Sequence, residues 1–258
     1  LDADEIQQHA GRSGVRLGPD PCHGALPPTV DGGATAFGRV ARGPRRELLD
    51  ARGWEASRAW GLRTVVDLRC DYETGPREGD PGVATPADVT VVQAPLEDHD
   101  DPEFRRICFP VLDSPEYWEH NLRILPDLVR GALEAVATAQ PGILVHCSAG
   151  RDRTGLMSAL LLSLAGVPGE VIAEDYALSV KAMAGTATHA PTHDRQEAWT
   201  PARVDAWVDE VGPIVIRFVE QAPEHLARIG LAQEHRDAIR TLLRGNAPVT
   251  AGGRVTKD

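Results

Sequence analysis

Val145-His146-Cys147-Ser148-Ala149-Gly150-Arg151-Asp152-Arg153-Thr154-Gly155 holds a cysteine, an aspartate, two arginines and a threonine in one short run. Cys147 offers a sulfur nucleophile. Arg153 follows six residues later and offers a planar, always-charged fork matched to two phosphoryl oxygens. Small residues lie between them, and Gly150 accepts turn conformations that a side chain would resist. Between a strand and a helix, such a run curls its backbone N–H groups into a nest, and the helix opening near Arg153 directs its partial positive charge into the same space. A phosphoryl dianion suits that cradle. The same field is expected to draw the Cys147 thiol from about 8.5 into the ~3.5–7.5 range of helix-terminus cysteines. Thr154 can donate its hydroxyl to the sulfur when it leaves, and His146 can orient the loop through hydrogen bonds.

The stretch resembles the His-Cys-x5-Arg-[Ser/Thr] signature of cysteine-dependent phosphatases. More narrowly, it resembles the His-Cys-x-x-Gly-Lys-Asp-Arg-Thr-Gly loop of the bacterial PtpB-type tyrosine and phosphoinositide phosphatase family. Leu62 to Glu73 (LRTVVDLRCDYE) resembles that family's strand and Asp-Leu-Arg-Ser-x-x-Glu segment, Val171 to Tyr176 its helix after the loop, and residues 218–245 its closing helices. The chain departs from the pattern in three places. Arg151 stands for a lysine, Cys70 stands for a serine, and only Asp31-Gly32-Gly33 remains of an N-terminal Asn-Phe-Arg-Asp-Leu-Gly-Gly element.

The resemblance implies a metal-independent phosphomonoester hydrolase that needs no cofactor and passes through a phosphocysteine intermediate. Its substrate would be a phosphotyrosine protein or a phosphoinositide, with inorganic phosphate as product, while the Arg151 change and the missing N-terminal element leave room for a small soluble phosphate ester. It implies Cys147 as nucleophile, and Ser148, Ala149, Gly150, Arg151 and Arg153 around the phosphoryl group. Asp152, just before the arginine, resembles the general acid, and Asp98 in the acidic loop Pro95 to Asp101 competes for that role. Asp67 and Arg69 stand at the carboxyl end of a strand, where α/β sites collect, and either line the site or pair with each other. Cys70 is a spare thiol or a reversible disulfide partner for Cys147. Two other readings of the loop remain open, an arsenate reductase or sulfurtransferase, and a phosphate-binding module without turnover.

Elements must hold these groups in place. Strands are expected at Leu62 to Leu68, Val89 to Val92 and Gly142 to Val145, and helices at Glu47 to Trp60 and from Ser114 to about Ala139, divided at Pro126. Further helices are expected at Thr154 to Ala165, Glu170 to Val180, Thr200 onward with a break near Gly212-Pro213, and Glu234 to Leu243. The alternation argues for an α/β fold, a three-layer αβα arrangement around a mostly parallel sheet with extra C-terminal helices. Residues 1–36 read as an irregular arm, 37–246 as one phosphatase-like domain and 247–258 as a flexible tail. The loop Met183 to Thr200 is either a lid or a connector.

Composition narrows the class. A formal net charge of −11 argues against a nucleic-acid or anionic-membrane binder, while leaving room for a local anion pocket. Cys22, Cys70, Cys108 and Cys147 form no CxxC pair and fit reduced thiols of a cytoplasmic protein. His189 and His193 have the spacing of a metal pair, but Pro191 between them and the absence of a third ligand argue against metal. No stretch of about 18 apolar residues is present, so no membrane insertion is expected. The acidic start Leu1 to Glu5 lacks an apolar leader, and a chain opening on leucine is expected to have been trimmed.

Overall fold

The computed structural model describes residues 29–184 and 199–244. Cys22, His189, Pro191, His193, most of the Met183 to Thr200 loop and the C-terminal tail lie outside these residues.

Four strands form one all-parallel sheet: β1 (Val40–Gly43), β2 (Thr64–Asp67), β3 (Thr90–Gln93) and β4 (Ile143–His146), in the order β1-β4-β2-β3. Side chains alternate across it. Ala41, Val65 and Leu144 are aligned in register and join Leu49, Trp54, Leu62 and Val89 on one face. Val66, Ile143 and Val145 belong to the larger core on the other face. The sheet is therefore the middle layer of three, as expected for parallel strands linked by helical crossovers.

One helix, α1 (Ala51–Trp60), supplies Trp54 to the smaller face; Asp50 caps its start and left-handed Gly61 ends it. The larger face is covered by α2 (Pro102–Cys108), α3 (Tyr117–Ile124), α4 (Pro126–Thr138), α5 (Asp152–Ala165), α6 (Gly169–Met183), α7 (Pro201–Glu220), α8 (Ala222–Arg228) and α9 (Gln233–Arg244). Ten of the residues of α5 are buried, as the nearly all-round apolar sequence of this central helix anticipates. Trp118 packs edge-on against Tyr176 and Phe218, each at 5.3 Å, locking α3, α6 and α7 together under the start of α5.

Several expectations are corrected. Residues 201–220 form one continuous helix with Pro213 inside it, held by the buried stripe Val204, Trp207, Val211, Val215 and Phe218, so tertiary packing overrides the proline. The helix expected from Glu47 is a short 3-10 turn, Arg46–Leu48, followed by α1. The strand β1 and the short helix α2 are additions. Four residues, Val-Ala-Arg-Gly, carry too little alternation to announce a strand, and Asp101, read as loop, is the N-cap of α2. The Asp31-Gly32-Gly33 remnant lies away from the loop, where Asp31 takes a hydrogen bond from Arg244 at 2.8 Å.

Candidate active site

The carboxyl ends of the parallel strands converge. Gly43, His146 and Asp67 occupy one register row at the tips of β1, β4 and β2, and the chain leaves β4 directly into Cys147. Such a convergence is where an open α/β sheet offers a crevice. Cys147 is buried, Ser148 and Ala149 are half-buried, and Gly150 folds the loop back so that its N–H donates to the Cys147 sulfur at 3.2 Å. Gly150 has φ +78, and a Cβ there would lie 2.5 Å from the Gly43 carbonyl, so this turn accepts no side chain. The loop is tied from outside as well. Arg45 N–H donates to the Ser148 carbonyl at 3.0 Å, and Arg42, paired with Asp175, donates to the Gly150 carbonyl at 3.0 Å.

Arg153 lies in the first turn of α5 and is buried. Both arms of its guanidinium meet the Glu73 carboxylate, with Nη2 to Oε1 at 2.8 Å, while Nε lies 3.5 Å from Glu97. Burial opposes its charge, but Glu97 and Glu73 raise its pKa well above the ordinary value. Glu73 responds in kind: burial would raise it, and Arg153 holds it below the usual carboxylate range. The first helical turn thus presents a cation whose orientation two carboxylates fix.

Asp152 accepts hydrogen bonds from Arg151 Nε at 3.2 and 3.1 Å and from the Tyr176 hydroxyl at 3.5 Å. Close packing makes the last contact: a Cβ on Gly155 would fall 2.9 Å from the Tyr176 ring and 3.1 Å from Trp118. The Tyr117 hydroxyl, fully buried, lies within Coulombic reach of Glu97, Asp152, Arg153 and Cys147, and burial raises its pKa well above the ordinary value. Thr154 Oγ1 is buried with no hydrogen-bond partner among the described residues. Asp98 is exposed, and its carboxylate accepts from the Asp100 backbone N–H at 2.9 Å.

His146, Asp67 and Arg69 lie beneath the loop, each with 0% exposure. Arg69 donates to Asp67 through Nε at 2.8 Å and Nη2 at 2.6 Å, and reaches Glu47 at 2.8 Å; Arg46 caps the same aspartate. Burial would raise the Asp67 carboxyl, but Arg69 holds it at about 2. Asp67 and Arg69 form a buried ion pair that supports the loop from below. Burial pushes His146 down to about 4, so it is neutral near pH 7, and its Nδ1 faces the Cys147 carbonyl at 3.0 Å. A carbonyl only accepts, which places the proton on Nδ1.

Cys70 donates to the Glu97 carbonyl at 3.2 Å, and burial pushes its thiol up to about 12. Ligand atoms of Cys70, Glu73 and His99 lie within 4.8 Å of one another, yet both Glu73 oxygens are engaged by Arg153. That cluster reads as the carboxylate shell of an arginine, since a guanidinium already neutralises it.

Sequence reasoning passed over Glu73, Glu97, Tyr117, Tyr176, Arg42 and Arg46. Glu73 had a signal, as the closing residue of the LRTVVDLRCDYE segment. Tyr176 had the same kind of signal, as the closing residue of the Val171 to Tyr176 segment, and the others act through contacts between distant parts of the chain that local spacing does not record.

The chain is similar to a tyrosine-protein phosphatase of Nostoc commune, 47% identical over 53 residues, which are 20% of this chain and 18% of that protein. It is also similar to the triple specificity protein phosphatase PtpB of Mycobacterium tuberculosis, 31% identical over 173 residues, 55% of this chain and 62% of the relative. The matches thus span less than two thirds of either relative's length. A family model described as the tyrosine phosphatase family matches residues 24–244, most of the chain, and with it the strand, loop and helix that carry Cys147 and Arg153. The chain belongs to the tyrosine phosphatase family.

Proposed function

We propose that this protein is a cysteine-dependent phosphomonoester hydrolase. The observation that carries the reading is the loop itself: a buried cysteine at a strand tip, a glycine N–H on its sulfur, and a helix-opening arginine held by two carboxylates. Cys147, as the thiolate, attacks phosphorus, and an S–P bond forms as the ester P–O bond breaks. Arg153 and the loop amides stabilise the charge on the equatorial oxygens. Asp152 protonates the departing oxygen. Water then attacks phosphorus, the S–P bond breaks toward Cys147, and Asp152 takes the proton from water. Thr154, whose hydroxyl has no protein partner among the described residues, donates to the sulfur as it leaves.

Asp152 is favoured over Asp98 as the acid. It stands in the first turn of α5 beside the loop, whereas Asp98 is exposed and holds its own loop's backbone. Ser148, Ala149, Gly150 and Arg151 bind the phosphoryl group, and His146, Asp67, Arg69 and Glu73 position the loop. No metal enters the scheme, since the loop and Arg153 supply the positive charge. The substrate is a phosphotyrosine protein or a small phosphate ester.

Phosphate release tests this, measured with EDTA and a reductant over phosphotyrosine and phosphoserine peptides, phosphoinositides, nucleotides and sugar phosphates. Wild type is expected to turn over at least one of them, and Cys147→Ser to abolish that turnover. Turnover that survives in Cys147→Ser contradicts the proposal. Binding without release would favour the non-catalytic module, and arsenate reduction lost in Cys70→Ser would favour the reductase.

A further inference from the structure

The arginines around the loop come with carboxylates. Arg45 is held by Asp80, Arg46 by Asp67, Arg69 by Asp67 and Glu47, and Arg153 by Glu73. Arg77 differs. It is half-buried, and its guanidinium reaches only the Ser148 hydroxyl at 3.4 Å and the Glu73 carbonyl at 3.5 Å among the described residues. Both contacts are neutral and at the outer limit of a hydrogen bond. Burial and the charges of Arg45 and Arg69 lower its pKa and outweigh the opposing pull of Glu73 and Glu47, neither of which forms an ion pair with it.

An arriving anion would relieve that repulsion, and the place where it would sit is defined. Ser148 follows the nucleophile directly, so a group bound to Arg77 lies next to the phosphoryl cradle. We infer that Arg77 forms a second anion subsite beside the loop. The preferred substrate is then a small phosphate ester whose leaving group carries another anionic group, a carboxylate or second phosphate, close to the scissile one. The net charge of −11 favours a soluble ester over one embedded in an anionic membrane. This inference rests on the reading of the loop as a phosphatase site.

The test compares phenyl phosphate with the three carboxyphenyl phosphates and the benzene bisphosphates, in wild type, Arg77→Gln and Arg77→Lys. The readout is the ratio of kcat/KM for each anionic ester to that for phenyl phosphate. Wild type is expected to favour at least one anionic ester by about tenfold or more. The ratio falls toward one in Arg77→Gln and is partly kept in Arg77→Lys. A carboxylate source and a phosphate source are separated by which ester gains. A wild-type ratio near one across the panel overturns the subsite, as does a ratio that Arg77→Gln leaves in place. Equal losses on all esters would mean that Arg77 only supports the loop, which also overturns it. Binding of phenylphosphonate and the carboxyphenylphosphonates by calorimetry reads the same ratio without turnover. Failure of the cysteine mechanism is therefore distinguished, since it shows as turnover surviving in Cys147→Ser.

Discussion

Glu73 and Glu97 hold the Arg153 fork in one orientation at a buried site, and the proposed mechanism depends on that orientation to meet a dianion. Removing one partner of a buried charged pair costs roughly 3–5 kcal/mol, because the other charge is left exposed to a low dielectric. Glu73→Gln should therefore lower kcat/KM by about a hundredfold and lower the unfolding midpoint too, checked by steady-state kinetics and thermal denaturation. An unchanged kcat/KM would remove Glu73 from the site. Asp152 makes a different prediction, because an acid matters most where the leaving oxygen is basic. Asp152→Asn should lower kcat by roughly 10²–10⁴-fold on alkyl phosphates and far less on activated aryl phosphates. The leaving-group dependence of kcat reads this directly. An equal drop on both classes would return the acid role to Asp98 or another group.

At the scale of elements, the strand, loop and helix around Cys147 were readable because all their determinants are local. A β-branched strand, a glycine at the turn and an arginine in the first helical turn lie within one short segment. The groups that orient that segment come from elsewhere: Arg153 and Glu73 are 80 residues apart, and Arg42 reaches the Gly150 carbonyl across 108. No period or spacing reports such pairs. For the same reason β1 escaped notice, since its four residues are a strand only through their pairing with β4. Likewise the choice between site residues and an ion pair for Asp67 and Arg69 needed their three-dimensional neighbours. Gly150 tests the loop as an element. With φ +78 and the Gly43 carbonyl 2.5 Å from a would-be Cβ, Gly150→Ala must distort either the loop or the tip of β1. Phosphate affinity should fall at least about tenfold, with a stability loss of about 1–3 kcal/mol, measured by calorimetry and denaturant titration. Wild-type affinity in that variant would mean that the loop does not need this turn.

At the scale of the whole molecule, Asp67, Arg69 and His146 are buried under the Cys147 loop, and stability should therefore depend on acid. His146 is held at about 4 against an ordinary 6.5, so between those values the unfolded chain takes up a proton that the folded chain refuses. Stability is complete above pH 6.5 and declines as pH falls toward 4. Asp67, held at about 2 against 3.8, extends the loss below that range. Wild type should lose on the order of 2 kcal/mol between pH 7 and pH 5 from His146, and His146→Gln should show a flatter profile in denaturant titrations. Parallel profiles for the two proteins would mean that His146 titrates freely. The proposed reading places a local cradle for an anion in a chain of net charge −11, where arginines gather at one end of a parallel sheet. Covalent catalysis by Cys147 is tested most directly by rapid acid quench during turnover of phenyl phosphate, followed by peptide mass mapping. A phosphoryl group on the peptide containing Cys147, absent in Cys147→Ser, is the predicted result. Steady turnover with an unmodified Cys147 peptide, or the phosphoryl group on another residue, would contradict it.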